Sequence, residues 1–213
     1  MQINDKFFYI NIRDYLALGS DSKAGEPMLA RVLSGFSCPK NPDVANFLKK
    51  NAVEFTKKSQ SVTYLVFSVE SKELLGYFTL ALKPLSVRGE TVSNTTKRKL
   101  LRISELDESS DTYTMSAYLI AQLGKNYTNG VNNKITGKEL IELAWTVIED
   151  AQYMLGGIVT FLEAENEEKL LSFNGGASTW HGYQNLKNQK RKPGKKAGSV
   201  DRRKDGNRLQ SVC

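Results

Sequence analysis

The chain has 213 residues, of which 40% are hydrophobic, and this is enough to build one domain with a buried core. No apolar run approaches the roughly 18 residues of a membrane span, and the polar start lacks the apolar core of a secretory signal, so we expect a cytoplasmic protein that does not cross a membrane. Only Cys38 and Cys213 are present, which excludes a disulfide framework and a cysteine-rich zinc site.

The net charge of +7 is concentrated in one segment of the chain. Residues 187–213 contain ten Lys or Arg and two Asp, whereas residues 1–186 carry a net charge of −1. The basic segment has few apolar residues and no periodicity, which predicts a disordered tail after a domain spanning residues 1–186. Such a tail is either a solvated extension or a non-specific contact for nucleic-acid phosphates.

The first well-marked element is a helix predicted over residues 42–57. Asn41 is suited to the N-cap, and Pro42 to the first helical position. The apolar residues recur at the spacing of one buried helix face, formed by Val44, Phe47, Leu48, Ala52 and Phe55.

Two strands follow this helix. Residues 62–69 and 74–82 are rich in β-branched and aromatic residues, and the polar turn between them predicts an antiparallel hairpin. Residues 86–112 are polar and poorly patterned, and they predict only a short helix near residues 97–103.

The next part of the chain reads as strand, loop, helix and strand. Residues 117–123 predict a buried strand, and residues 158–164 predict a second one. Between them, Thr136 and Glu139 form a capping box at the start of a helix predicted over residues 136–155. A unit of this kind usually places its two strands parallel. The predicted core face of the helix consists of Leu140, Ala144, Val147, Ile148, Ala151 and Leu155.

The order of these elements resembles that of the GCN5-related N-acetyltransferases, in particular their bacterial branch of toxin-type enzymes. The resemblance covers a core of residues 30–173 and rests on Phe36-Ser37-Cys38, on the strand Leu74–Leu80 and on the strand and loop Tyr118–Asn126. It implies an α/β fold with a mixed, mostly antiparallel, splayed sheet flanked by helices. It also implies transfer of an acetyl group from acetyl-coenzyme A to a primary amine.

The candidate cofactor-binding residues cluster around the start of the predicted helix 136–155. A helix N-terminus offers unpaired N–H groups and partial positive charge to a pyrophosphate. The amides of residues 135–138 are so placed, and two lysines add charge. The resemblance adds backbone groups near residues 123–124 and a polar side chain after the last strand, which contact pantetheine in the family. The full set is Leu123, Gly124, Asn132, Lys134, Ile135, Thr136, Gly137, Lys138 and Asn166. Thr136 and Glu139 are equally explained as an ordinary helix cap.

The sequence departs from the family pattern at two places. The phosphate signature falls on Asn132, Ile135 and Gly137 and keeps only its last glycine; because isoleucine adopts a positive φ only at a cost, the loop must follow another path. Asn174 stands where the family has a tyrosine acid, and its amide cannot protonate a leaving thiolate. Glu163 is either a general base acting through water or a solvated carboxylate.

The closing strands of the family fold are also missing after residue 173, so we expect a sheet that is incomplete at its C-terminal end. A change of reading frame near codon 174 and a natural extension both explain this loss. The resemblance to toxin-type members suggests the amine of aminoacyl-tRNA as an acceptor. Two other functions remain open: a degenerate acetyltransferase fold without turnover, and a nucleic-acid-binding protein that acts through its basic tail.

Overall fold

A six-stranded sheet organises the computed structural model, which describes residues 5–18, 25–157 and 159–162. The sheet order is β1-β2-β3-β5-β4, and β6 also pairs with β5. The elements are β1 (Phe7–Asn11), α1 (Ile12–Leu16), α2 (Gly25–Ser34), α3 (Pro42–Asn46), a π-helical turn (Phe47–Asn51), α4 (Ala52–Lys57), β2 (Val62–Ser68), β3 (Leu74–Arg88), a 3₁₀ turn (Gly89–Thr91), α5 (Asn94–Leu100), β4 (Glu105–Asp107), β5 (Thr112–Lys125), a 3₁₀ segment (Thr128–Asn133), α6 (Gly137–Leu155) and β6 (Thr160–Leu162).

The described residues fall into two compact units. The first takes its described residues from Met1–Lys83 and Tyr118–Gly157, and the second from Pro84–Ala117 and the residues after Gly157. The first unit has a core between α1–α4 and β1–β3, in which Ile12, Leu29, Leu48 and Leu65 are fully buried. Residues before position 30, such as Ile12 and Leu29, therefore belong to the hydrophobic core of this unit. The core of the second unit contains Leu85, Val87, Leu100, Tyr113, Met115, Ala117 and Val159.

The predicted helix 42–57 is confirmed at both ends, but its periodicity is broken in the middle. The Asn41 side chain accepts a hydrogen bond from the Asp43 amide at 3.1 Å, as an N-cap does. The π-helical turn Phe47–Asn51 then adds one residue to the winding of the helix. As a result the buried position near the end moves by one residue, to Thr56, and the prediction that Phe55 is buried is wrong. Phe55 packs edge-on against Phe47 instead.

The predicted hairpin is confirmed, and its second strand is longer than predicted. β2 and β3 pair antiparallel with Thr63 opposite Thr79, and the two hydroxyl oxygens lie 2.8 Å apart. β3 continues to Arg88 and β5 begins at Thr112. The sequence predicts only a short helix within residues 86–112, so this prediction is wrong at the two ends of the stretch, where the strands extend into it. The short helix is present three residues earlier than predicted, as α5.

The strand–loop–helix–strand reading of the last described part is confirmed. β5 includes the predicted strand 117–123, α6 begins after the Thr136 cap, and β6 pairs with β5. The prediction that Leu155 is buried is wrong: the last turn of α6 is exposed, and Leu155 keeps 81% of its surface accessible. An α/β fold with a mostly antiparallel sheet and flanking helices is therefore correct. In the described part of the chain, no helix combines the length and hydropathy that crossing a membrane requires.

Candidate functional site

The C-terminal end of β5 is closely packed against β3 and α3. Gly124 is buried, and a Cβ atom added there would lie 2.3 Å from Val44 Cγ1 and 3.0 Å from Tyr77 Cε1. A Cβ atom added at Gly76 would lie 2.6 Å from the Gly124 carbonyl oxygen. The two glycines thus allow neighbouring backbones and side chains to approach closely. Leu123, the preceding predicted residue, is half-buried.

Asn126 ties the loop after β5 to the rest of the first unit. Its side chain is buried and donates from Nδ2 to the Leu74 carbonyl at 2.9 Å. Its Oδ1 accepts from the amides of Ser37 at 2.9 Å and Thr128 at 3.2 Å. The Tyr127 amide adds a 2.7 Å bond to the Ser37 carbonyl. A buried amide that makes three hydrogen bonds through its side chain fixes the conformation of the loop start.

The turn of this loop lies well before the helix. Asn129 and Gly130 adopt left-handed φ angles of 51° and 73°, which asparagine and glycine accept at low cost. Ile135 is 1% exposed and acts as an apolar anchor just before α6. The chain therefore reverses direction six residues before the helix cap, along a path that suits the isoleucine.

Lys125 binds the part of the loop that precedes α6. Its ammonium group donates to the carbonyl oxygens of Asn132 at 2.7 Å and Ile135 at 2.9 Å. Burial, together with the nearby Lys40 charge, lowers the pKa of Lys125, while the Glu139 carboxylate acts in the opposite direction. The sequence marks Lys125 and Asn126 only as the end of the strand and loop Tyr118–Asn126. Their roles depend on contacts across the fold, for which a single sequence carries no signal.

The start of α6 is capped by its own side chains. The Thr136 hydroxyl accepts from the Glu139 amide at 3.1 Å, and the Glu139 carboxylate accepts from the Thr136 amide at 2.8 Å and from its hydroxyl at 2.7 Å. These bonds hold the pKa of Glu139 below its usual value. Gly137 and Lys138, in the first turn of the helix, have no carbonyl four residues earlier within α6 to which their amides could bond.

The two predicted lysines of the site form ion pairs. Lys134 pairs with Glu73 and contacts Ser71, and the pairing holds the pKa of Glu73 below its usual value. Lys138 lies 3.7 Å from Glu142, one helical turn further along α6. Both ammonium groups are largely exposed, and exposed pairs of this kind are weak, so a stronger anion can exchange for the carboxylate.

Eight of the nine predicted cofactor-binding residues thus lie in one continuous stretch from β5 through the loop into α6. The ninth, Asn166, lies outside the described residues, as do Glu163, Asn174 and the basic tail. Cys38 is buried. Within the part of the chain that the structure describes, no group of three or more His, Cys, Asp or Glu residues is placed to hold a metal ion.

Solved structures with the same arrangement of elements are known. A tyrosine-to-phenylalanine mutant of KacT superposes with a TM-score of 0.54 at 19% sequence identity, over 79% of this chain and 84% of that one. The corresponding values for a tyrosine-to-phenylalanine mutant of the toxin AtaT are 0.53 and 17%, over 82% of each chain. This chain has the GCN5-related N-acetyltransferase fold. No protein-family model matches it, and no curated protein does.

These similarities establish the arrangement of helices and strands and nothing about the activity of this chain. A complex of AtaT with acetyl-methionyl-tRNAfMet superposes with a TM-score of 0.49 at 19% identity, over 66% of this chain and 75% of that one, and adds nothing to the fold assignment. Because one fold supports many activities, the chemistry of this chain has to be argued from its own residues. The carboxylates at the start of α6 are those of Glu139, which caps the helix, and of Glu73 and Glu142, which pair with Lys134 and Lys138.

Proposed function

We propose that the chain is an acetyl-coenzyme A-dependent N-acetyltransferase that acts on a primary amine. The observation that carries the proposal is the ordered loop between β5 and α6, which leads from a strand end to a helix start with unpaired first-turn amides. In this fold the sheet and α6 supply the scaffold, and the residues at Leu123–Lys138 supply the binding groups.

In this proposal the amides of Gly137 and Lys138 bind the diphosphate, and the ammonium groups of Lys134 and Lys138 add attraction. An anion gains from the partial positive charge at the end of a 19-residue helix. Backbone groups of Leu123 and Gly124 bind the pantetheine arm, with Asn166 as a further polar contact. Bound acetyl-coenzyme A supplies an acetyl group as a thioester, and the chain positions the amine that takes it up.

The residues Asn132 and Ile135 contribute through the loop backbone rather than through their side chains. The Asn132 side chain donates to the Asn133 side chain at 3.0 Å, and the Ile135 side chain is buried. Their carbonyl groups bond to Lys125, so they shape the loop that carries the binding groups.

We propose aminoacyl-tRNA as the first acceptor to test. The support on this chain is α5 and the turn after it, where Arg98 and Arg102 are exposed. Arginines in such a cluster suit phosphate oxygens, and the basic tail of residues 187–213 adds ten further cations. Nearby Lys97 is bound to Asp111 at 2.7 Å and contributes less.

The test is an acetyl-transfer assay that measures thiol release from acetyl-coenzyme A. The acceptors compared are aminoacyl-tRNA, deacylated tRNA, free amino acid and a lysine peptide. We expect thiol release with an acceptor that carries a free amine, and none with deacylated tRNA. Thiol release at the rate of the protein-free blank with every amine, despite measurable acetyl-coenzyme A binding, would instead identify a degenerate fold without turnover.

A further inference from the structure

Lys125 links the end of β5 to the loop that precedes α6. Lys125 is the last residue of β5, and the loop between residues 126 and 135 follows it directly. It donates to two carbonyl groups that are three residues apart, those of Asn132 and Ile135. An ammonium group has three N–H donors and no acceptor, so among backbone groups it binds carbonyl oxygens and not N–H groups.

Orienting these carbonyls also orients two amides. In a trans peptide unit the C=O of one residue and the N–H of the next point in opposite directions. With the Asn132 and Ile135 carbonyls directed at Lys125, the N–H groups of Asn133 and Thr136 point away from it. The Thr136 amide is taken up by the helix cap, because it donates to a carboxylate oxygen of Glu139 at 2.8 Å, and the first turn of α6 follows it directly.

The same contact prevents a competing arrangement. If the Asn132 and Ile135 carbonyls turned outward, they would present partial negative charge on the side where an anion must approach. The charged groups that act on Lys125 are Lys40 before α3 and Glu139 of α6. The half-buried ammonium therefore favours one orientation of the two peptide planes.

We propose that Lys125 is the positioning residue of the diphosphate-binding loop, which it holds with N–H groups outward and carbonyl groups inward. This inference rests on the proposed acetyl-coenzyme A site and assigns to Lys125 no contact with the ligand. It explains how the path into α6, and with it the placement of the Gly137 and Lys138 amides, is fixed although the family signature keeps only Gly137. The loop geometry is then set by the Lys125 side chain, whereas in the family signature glycines within the loop set it.

The experiment compares three variants with the parent protein. Lys125→Met keeps the length of the side chain and removes its donors, Lys125→Arg restores a cation with several donors, and Lys58→Met is a matched control at an exposed position. Amide hydrogen exchange of the ligand-free protein reports on the loop. Calorimetry reports on acetyl-coenzyme A and on acetyl-pantetheine, which has the same thioester without the diphosphate.

We expect Lys125→Met to speed exchange of the Thr128–Asn133 amides about tenfold and to weaken acetyl-coenzyme A binding about tenfold, with acetyl-pantetheine unchanged. Lys125→Arg should recover most of the affinity, and Lys58→Met should match the parent. Unchanged acetyl-coenzyme A affinity in Lys125→Met, or an equal loss for both ligands, overturns the inference. If the parent protein binds no acetyl-coenzyme A, the proposed function fails instead. Should Lys125→Met not fold, Lys125→Gln replaces it and is compared with Lys125→Arg on the same two ligands. Weaker binding of acetyl-coenzyme A alone by Lys125→Gln supports the inference, and unchanged binding or an equal loss for both ligands overturns it.

Discussion

The substitution Gly124→Ala tests the packing that fixes the end of β5. The added Cβ would lie 2.3 Å from Val44 Cγ1, 3.0 Å from Tyr77 Cε1 and 3.3 Å from Phe36 Cζ. None of these neighbours can move freely. Phe36 and Tyr77 are fully buried and pack edge-on with ring centres 5.3 Å apart, and the Tyr77 hydroxyl donates to the Val44 carbonyl at 2.6 Å. Valine is also stiff about χ1.

The expected cost follows from two opposing effects. Overpacking a well-packed core costs about 1–3 kcal/mol. Replacing a glycine by alanine within a strand returns about 0.5–1 kcal/mol, because the unfolded chain loses conformational freedom. Because a 2.3 Å contact places the overpacking cost in the upper part of its range, we expect Gly124→Ala to lower the free energy of unfolding by about 1–2.5 kcal/mol, which in a domain of this size lowers the melting temperature by about 2–10 °C.

Urea denaturation followed by circular dichroism measures the change. Gly35→Ala is the control, because a Cβ there would meet only the Val32 carbonyl oxygen at an ordinary 3.7 Å. Val44→Ala removes the closest clashing methyl, so it should cost less stability in the Gly124→Ala background than in the parent. The packing argument is refuted if Gly124→Ala is as stable as Gly35→Ala, or if the Val44→Ala and Gly124→Ala effects simply add.

Four further predictions concern other parts of the chain. Glu139→Gln keeps a capping box but removes a charge, so the variant should bind acetyl-coenzyme A more tightly than the parent at pH 7. The folded-state pKa of Glu139 is depressed, so the parent should be the more stable protein at pH 7. In urea titrations this difference in the free energy of unfolding should shrink as the pH falls below about 4.3. Asn126→Asp cannot donate to the Leu74 carbonyl when ionised, so it should cost about 1–3 kcal/mol at neutral pH and less where the carboxyl is protonated. Phe55→Lys should change the melting temperature little, whereas Leu48→Ala should cost about 2–5 kcal/mol; equal costs would contradict the shift of the buried face by the π-helical turn. Truncation after Leu186 should leave the melting temperature nearly unchanged and remove any salt-sensitive binding to nucleic acid, and binding retained by the truncated chain would place the contact on the domain.

The elements that sequence reasoning predicts well are those whose signals are local. The caps at Asn41 and Thr136 involve residues two or three positions away, so the printed order of residues carries them. The hairpin is equally local, since a polar turn joins two runs of β-branched and aromatic residues. The order of the elements then suffices to suggest the acetyltransferase fold, which the structure confirms.

The features that escape prediction depend on the rest of the fold. The π-helical turn shifts burial from Phe55 to Thr56, because packing overrides the simple 3.6-residue period. β3 runs on to Arg88 because Leu85 and Val87 are buried in the second unit, although polar residues between them weaken the pattern. The hydrogen bonds to the loop carbonyls come from the long side chain of Lys125, which could reach many acceptors. Only the folded chain determines which two carbonyl groups it binds.

The central claim is that acetyl-coenzyme A binds at the start of α6, and calorimetry of the parent and Gly137→Asp tests it most directly. An aspartate in the first turn of a helix is favourable for folding, so the variant should keep its melting temperature. One added charge about 6 Å from the diphosphate costs between ~0.7 and ~3 kcal/mol, depending on the local dielectric, so binding should weaken about tenfold. Gly35→Asp, at an exposed position, is the charge-matched control and should bind as the parent does. Equal affinities for the parent and Gly137→Asp, with both proteins folded, would contradict the claim and place any acetyl-coenzyme A site elsewhere on the chain.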